Sequence, residues 1–257
     1  TVLGPPLWNL WFADVALPAQ STGSEEALFA DDLSVFQKFD RFLPAADVKA
    51  KLSECKEQVY KWGTTNRVSF DEQKEHLVVL HPIYGDGDHF KLLGLFLDVK
   101  LTMRVAIDDI MSRVHPRVTA LLRTRGHYGA TDLLTQFKTH IWGIMECHSG
   151  GIFHACTSSL DRLDRCQKHF VEEVGLTESV AFTDYNFAPP VLRRNIGILG
   201  MLHKRVLGQC HPDFDTLLPW FVQRFGYTMQ GKHNKQLYNH RLEVQLQHGL
   251  IQRSILQ

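Results

Sequence analysis

The chain of 257 residues is 44% hydrophobic and 22% charged, with a formal net charge of zero. Its hydrophobic content is enough for a buried core, and the composition excludes general disorder, a collagen-like repeat and a disulfide scaffold. Neutrality argues by itself against a strongly nucleic-acid-binding surface, and no apolar run approaches the roughly 18 residues of a membrane span.

The cysteines and the first residue bear on where the protein is found. The five cysteines form an odd, scattered set. Such a set predicts reduced thiols in an intracellular protein, of the nucleus or the cytoplasm, rather than a secreted one. The chain starts at Thr1 without a targeting pattern, so we expect the natural start to lie upstream.

Charge is unevenly distributed along the chain. Every charged residue before Lys38 is acidic, whereas after Trp220 five basic residues accompany the single acid Glu243. An acidic front suits a hard cation and a basic rear suits phosphates, and ordinary variation of solvated charge is the alternative.

The front of the chain predicts a β-hairpin and a helix. Prolines 5, 6 and 18 mark turns around a short apolar segment, residues 7–17. In residues 26–36, apolar residues flank Asp31-Asp32, as expected for two short strands with the acidic pair at the tip. Residues 47–66 carry apolar residues at alternating spacings of four and three, which predicts an amphipathic helix.

Three short segments rich in β-formers follow, and each is predicted to be a strand: residues 68–70, 76–81 and 89–96. The sequence Tyr-Gly-Asp-Gly-Asp at residues 84–88 predicts a turn between the last two.

The rear of the chain is predicted to be mostly helical, because apolar residues recur with a helical period from Ile107 to Val174. Pro116 lies inside the first of these helices and should kink or divide it. The fold class is therefore α+β, with a boundary near residue 102 between an α/β region, 1–102, and a helical region, 103–257.

Pro189 and Pro190 should open one further helix, since a missing N–H costs little in a first turn. Its buried stripe is predicted to consist of four apolar residues, Leu192, Ile196, Leu199 and Val206.

The chemistry of the front half centres on Phe29-Ala30-Asp31-Asp32. Two adjacent carboxylates on a turn can hold Mg²⁺, which is usually fixed by one or two carboxylates together with substrate phosphates. The small Ala30 leaves room for a substrate backbone to approach. Asp-Asp pairs are also common in ordinary surface turns, so the pair alone does not identify a metal site.

Several motifs occur in the order seen in reverse transcriptases of non-LTR retrotransposons. Leu3-Gly4-Pro5 with Leu7-Trp8-Asn9 resembles the Leu-Gly-Pro-x-Leu-Phe-Asn segment of that family, with Trp8 in place of Phe. Phe29-Ala30-Asp31-Asp32 follows at a separation typical of the family. Further matches are Trp62, Asn66, Val68, Phe70, Lys74, Leu92-Leu93-Gly94, Leu97-Asp98, Pro189-Pro190-Val191-Leu192-Arg193-Arg194 and Leu202-His203-Lys204.

This resemblance implies a fold and a set of site residues. Residues 1–102 would form part of a polymerase palm, and residues 103–257 a helical thumb and connection. Asp31 would bind Mg²⁺ or Mn²⁺ with support from Asp32, and Lys74 matches a lysine proposed to protonate the departing pyrophosphate, although a solvated lysine is the alternative. The substrate-binding positions would be Leu3, Gly4, Pro5, Phe29, Ala30, Leu93 and Gly94.

The implied reaction is attack of a primer 3′-hydroxyl on a deoxynucleoside triphosphate, directed by an RNA template. The family's first metal-binding Asp and its fingers precede Leu3-Gly4-Pro5 and are not in this chain. We therefore expect the chain alone to be inactive. A catalytically dead nucleic-acid-binding or structural remnant is the alternative, and a Mg²⁺-dependent nuclease ranks last because no further carboxylate cluster or general base can be placed nearby.

Two other groups of residues are candidate sites. Arg113 and Arg117, with Arg123 and Arg125 nearby, would contact the phosphates of a primer–template duplex, the alternative being a solvated helix face. A zinc knuckle would draw on Cys147, His148, His154, Cys156, Cys166 and His169. Their spacing fits no standard finger, which favours buried thiols and ordinary histidines.

Overall fold

The structure, a computed structural model, describes residues 2–81, 83–212 and 214. The chain divides into two compact units, Thr1–Phe90 with Asp98–Leu101, and Lys91–Leu97 with the chain from Thr102 onward. The second unit thus takes up a short segment that the predicted boundary near residue 102 assigns to the front. The basic stretch after Trp220 lies outside the described residues.

The front unit contains three helices and a hairpin. The helices are α1 (Gly4–Phe12), α2 (Ala16–Ser21) and α3 (Ala45–Asn66), with short 3₁₀ turns at Ala13–Val15 and Glu72–Lys74. The hairpin is formed by β1 (Glu25–Phe29) and β2 (Asp32–Phe36). The predicted hairpin and the predicted helix at 47–66 are both confirmed.

The core of the front unit is small. It consists of Phe12, Val15, Ala19, Cys55 and Val59, all nearly inaccessible to solvent. α1 starts with Pro5 and Pro6 in its first turn, where a missing N–H removes no helical hydrogen bond. The residues predicted as a short apolar segment therefore begin as a helix, which delivers Phe12 to this core.

The prediction of a strand at residues 68–70 is wrong. The amide of Val68 donates to the carbonyl of Gly63 at 2.8 Å, which closes the C-terminal end of α3. A Cβ at Gly63 would lie 2.8 Å from the ring of Phe70, so this segment packs tightly against the helix. Its backbone and side chains are used to cap and cover α3 rather than to pair in a sheet.

The other two predicted strands are also corrected. Residues 76–81 make a single bridge, Val79 with Asp86, and Asp86 lies inside the segment 84–88 that was predicted as a turn. Residues 89–96 do not form one strand, because a tight turn at Leu93-Gly94 separates β3 (Phe90–Leu92) from β4 (Leu95–Leu97). Both turn residues have positive φ, 46° and 87°, which two-residue hairpin turns of this kind require.

From Thr102 onward the described residues are mostly helical, as predicted. The helices of the second unit are α4 (Arg104–Arg123), α5 (Ala130–Phe137), α6 (Gly143–Glu146), α7 (Ser149–Ile152), α8 (Thr157–Glu173), α9 (Glu178–Tyr185) and α10 (Pro190–Val206), and a π-helical turn, Lys138–Trp142, joins α5 to α6. Its core is rich in large side chains, among them Ile107, Phe137, Ile141, Phe170 and Phe187. Among the described residues, no helix is long and apolar enough to cross a membrane.

Of the two outcomes predicted for Pro116, division of α4 does not occur. The helix continues through the proline, and Val114 and Val118 are buried on either side of it. Packing of these apolar side chains holds the helix together where one backbone hydrogen bond is lost.

α10 begins at Pro190 as predicted, but its buried stripe is different. Ile196 and Leu199 are 57% and 63% exposed, whereas Arg194 is only 5% exposed. The guanidinium of Arg194 donates to both carboxylate oxygens of Asp164 on α8, at 3.0 and 2.8 Å. This ion pair holds Arg194 against α8, and two of the four residues of the predicted stripe, Ile196 and Leu199, face outward, while Leu192 and Val206 are half-buried.

Neighbouring residues form a network around this pair. Arg193 stacks on the ring of Trp142, 3.6 Å from its centroid, and forms a two-pronged ion pair with Glu146. The indole of Trp142 donates to Gln167 at 2.9 Å, and the amide nitrogen of Gln167 donates to the carbonyl of Ala188 at 2.8 Å. We call Trp142, Glu146, Asp164, Gln167, Arg193 and Arg194 the arginine clamp.

We expect Arg194→Met to lower the free energy of unfolding by about 3 kcal/mol, because it leaves Asp164 without its partner in a largely buried setting. Urea denaturation followed by circular dichroism measures this. Lys168→Met is the control, since Lys168 pairs with Glu178 at 3.1 Å with both side chains about half exposed and should cost less than about 1 kcal/mol. If both variants lose the same free energy of unfolding, burial of the pair between Arg194 and Asp164 does not contribute to stability.

Candidate functional site

The tip of the front hairpin carries the acidic pair. Phe29 is paired with Asp32, so Ala30 and Asp31 form the two-residue turn and Asp32 is the first residue of β2. Both carboxylates are exposed. The hairpin position and accessibility of the pair are as predicted, while its role as a metal site stays a prediction.

A hydrogen bond from α1 fixes this tip. The indole nitrogen of Trp8 donates to the carbonyl of Ala30 at 3.0 Å. The Trp8 ring also stacks on the buried Phe12, with centroids 5.1 Å apart. Ala30 itself has a φ of 56°, a conformation that costs a residue with a side chain roughly 1 kcal/mol. The turn that presents Asp31 is thus held in a strained form by a side chain anchored in the core.

The first motif lies at the start of the same helix. Leu3 is the N-cap of α1, and Gly4 and Pro5 are its first residues, all of them exposed. The structure therefore places the Leu-Gly-Pro motif and the residue that secures the hairpin tip on one element of the front unit.

Lys74 is exposed on the 3₁₀ turn Glu72–Lys74. Its ammonium lies 3.7 Å from Asp71, with the Lys74 side chain 84% exposed. This is the one ion pair of Lys74 among the described residues, and it does not connect Lys74 with Asp31 or Asp32. Its proposed part in protonating pyrophosphate stays a prediction.

The remaining predicted residues belong to the second unit. Leu93 and Gly94 form the turn between β3 and β4, and a Cβ at Gly94 would approach the ring nitrogen of His148 to 3.3 Å. Arg113 pairs with Asp109 at 2.7 Å, and the guanidinium of Arg117 donates to the carbonyl of Arg113 at 2.6 Å. Asp109 therefore offsets the charge of Arg113, whereas Arg117 has no carboxylate partner in the described part of the chain.

The metal chemistry of the tip is limited to two carboxylates. Within the described residues, no group of three or more His, Cys, Asp or Glu side chains is arranged to hold a metal ion. Asp31 and Asp32 fit the minimal set for Mg²⁺, one or two carboxylates completed by substrate phosphates and water. A two-metal centre would need a further carboxylate from outside this set.

Cys156, one of the candidate zinc ligands, has a thiol with a lowered pKa. It is the N-cap of α8, and its sulfur lies 3.3 Å from the Ser158 hydroxyl and 3.2 Å from the Ser159 hydroxyl. These hydroxyls, together with the Ser159 N–H, lower the pKa of the Cys156 thiol to about 7. Near neutral pH an exposed thiolate is available at this helix terminus.

We expect the alkylation rate of Cys156 by iodoacetamide to rise with pH around a midpoint near pH 7, because the thiolate is the nucleophile. Ser158→Ala removes the leading cause of the lowered pKa and should move the midpoint toward about 8.5. Mass spectrometry of the Cys156 peptide measures the rate. Ser112→Ala on α4 is the control, and an unchanged midpoint in Ser158→Ala would contradict the hydrogen-bond explanation.

Two features were missed in the sequence. One is the anchoring role of Trp8, which was treated only as a replacement for Phe, although an indole can donate a hydrogen bond that a phenyl ring cannot. The other is a set of basic residues on α8, Arg162, Arg165 and His169. Their spacing of three and four places them on one helix face, a signal that the sequence does carry.

No family model, no curated protein and no solved structure matches this chain. The resemblance to non-LTR reverse transcriptases therefore depends on the motifs in the sequence alone.

Proposed function

We propose that the chain is part of an RNA-directed DNA polymerase of the non-LTR retrotransposon type, acting inside the cell in the nucleus or cytoplasm. The observation that supports this most directly is the hairpin tip. The Leu-Gly-Pro helix and the Asp pair, which occur in the order of that family, are joined by the hydrogen bond from Trp8 to Ala30. The partners would be an RNA template, a DNA primer and a deoxynucleoside triphosphate.

In the proposed chemistry, the carboxylates of the exposed hairpin tip bind a divalent metal ion. Bound Mg²⁺ or Mn²⁺ would supply the positive charge that activates a primer hydroxyl and steadies pyrophosphate. Asp31 and Asp32 would hold that charge on a turn kept in one conformation by Trp8. Rigid placement matters because a ligand displaced by about 1 Å loses much of its effect on a reaction.

A second candidate is a nucleic-acid-binding remnant without catalysis. It is favoured by the absence of a third metal-binding side chain near the Asp pair among the described residues. Both candidates share the proposed contact of Arg113 and Arg117 with duplex phosphates, and only the first requires Asp31.

We expect primer extension from a polypeptide lengthened upstream to include the family's first Asp, and none from the 257-residue chain alone. In the longer polypeptide, Asp31→Asn should retain the fold but lose nearly all extension with Mg²⁺ or Mn²⁺, since a neutral amide cannot offset the charge of the ions. Asp88→Asn, an exposed acid of the same unit, is the matched control.

The outcomes separate the two candidates. A longer polypeptide that is folded and binds duplex but extends no primer would reject the polymerase and leave the remnant. Extension that survives Asp31→Asn would remove Asp31 from the metal site.

Duplex binding is testable on this chain alone. Replacing both Arg113 and Arg117 by Ala should weaken binding to a primer–template duplex and reduce the log–log salt slope by roughly one unit per lost phosphate contact. Arg117→Ala should cost more than Arg113→Ala, because Asp109 already offsets Arg113. Fluorescence anisotropy at several salt concentrations measures both quantities.

The control for duplex binding removes the same charge from the exposed face of α3, as Lys51→Ala with Lys61→Ala. Equal affinity and slope in the arginine variant and the unmodified chain would contradict the predicted contact.

A further inference from the structure

A groove lies between α4 and α8, inside the second unit. Its volume is about 430 Å³, within the range of roughly 300–1,000 Å³ that small-molecule sites occupy. Its floor is apolar, since Met111, Val118 and Cys166 line it and are all buried. Burial raises the pKa of the Cys166 thiol to about 11, so that this floor carries no charge near neutral pH.

The rim of the groove is basic. Arg162, Arg165 and His169 line it from α8, and His115 lines it from α4. No Asp or Glu is among the described residues that line it. The rim therefore offers several donors to an anion above a surface that water leaves readily.

Arg165 is the rim arginine that has no ion pair among the described residues. Arg162 is paired with Asp108 at 2.5 Å. The Nε of Arg165 donates to the backbone carbonyl of Asp161 at 3.3 Å, and within the described chain no carboxylate lies within ion-pair distance of it. The two terminal nitrogens of Arg165 are thus available to a carboxylate or phosphate.

We propose that this groove binds a small organic anion, with its phosphate or carboxylate group at Arg165 and the histidine rim and its apolar body on the floor. The two parts of the groove each match one part of such a ligand. A bare inorganic ion would leave the apolar floor unused, and a neutral hydrocarbon would leave the rim unused.

The site is separate from the proposed duplex contact. At 3.6 residues per turn, Arg113 and Arg117 lie about 200° around α4 from His115. A duplex held by those arginines would not have to enter the groove. This proposal does not depend on the polymerase function, and either one can fail without the other.

The test is isothermal titration calorimetry of the full chain with 1-naphthyl phosphate, compared with 1-naphthol and with inorganic phosphate. The naphthyl phosphate should bind at least about tenfold more tightly than either part alone. Arg165→Gln should weaken its binding by about tenfold or more, the typical effect of losing a hydrogen bond to a charged group. Arg123→Gln, an exposed arginine on α4 that does not line the groove, should change binding less than about twofold.

A steric variant tests the position of the ligand without disturbing the core. Thr119 lines the groove and is exposed, so Thr119→Trp should block it, whereas Ala120→Trp, exposed beside it but outside the lining, should not. Circular dichroism confirms that each variant is folded.

The proposal is overturned by failure of the naphthyl phosphate to bind, by equal binding of naphthol, or by equal losses in Arg165→Gln and Arg123→Gln. It is also overturned if Thr119→Trp binds as well as the unmodified chain. Loss of binding in the Arg113 and Arg117 double variant would instead assign the anion to the duplex surface and reject the groove.

Discussion

The ion pair between Arg194 and Asp164 is the constraint that fixes how α10 packs on α8. It joins α10 to α8 at a point where only 5% of the arginine side chain is exposed. Buried side chains of α8, among them Leu163 and Phe170, seat this helix in the core, and Cys166, about 200° around α8 from Asp164, lines the groove against α4. α8 therefore contacts α10 on one side and lines the basic groove on the opposite side.

The front unit depends on a different kind of constraint. Its core is too small to define every turn by packing, and the hairpin has only two strands. The indole of Trp8 stabilises the turn of this small sheet, because it packs on Phe12 and also donates a hydrogen bond to the Ala30 carbonyl. One aromatic side chain, Trp8, therefore connects the conformation of the acidic tip to the core of the front unit.

The sequence was most informative where one periodicity extended over many residues. α3, α4 and α8 follow from their apolar repeats, and the front hairpin from the residues around Asp31. The prediction of strands at 68–70 and 76–81 was wrong because β-forming residues also cap helices and occupy loops when no partner strand is near. The stripe of α10 was predicted incorrectly because its buried face includes two arginines, Arg194 and Arg205, which a search for apolar residues does not find. The groove could not be predicted from the sequence, because it depends on how α4 and α8 pack together and not on the pattern of either helix alone.

The π-helical turn at Lys138–Trp142 has a consequence for the length of the chain here. Such a turn holds one more residue than an α-helical turn would, and it brings Trp142 under Arg193 and beside Gln167. The wider turn absorbs the extra residue, so deleting one residue here would restore a regular helix and leave α6 in nearly the same rotational position. Deleting a residue from the regular part of α4 would instead rotate everything beyond it by about 100°. Natural variants should therefore differ in residue number at this turn more readily than within α4.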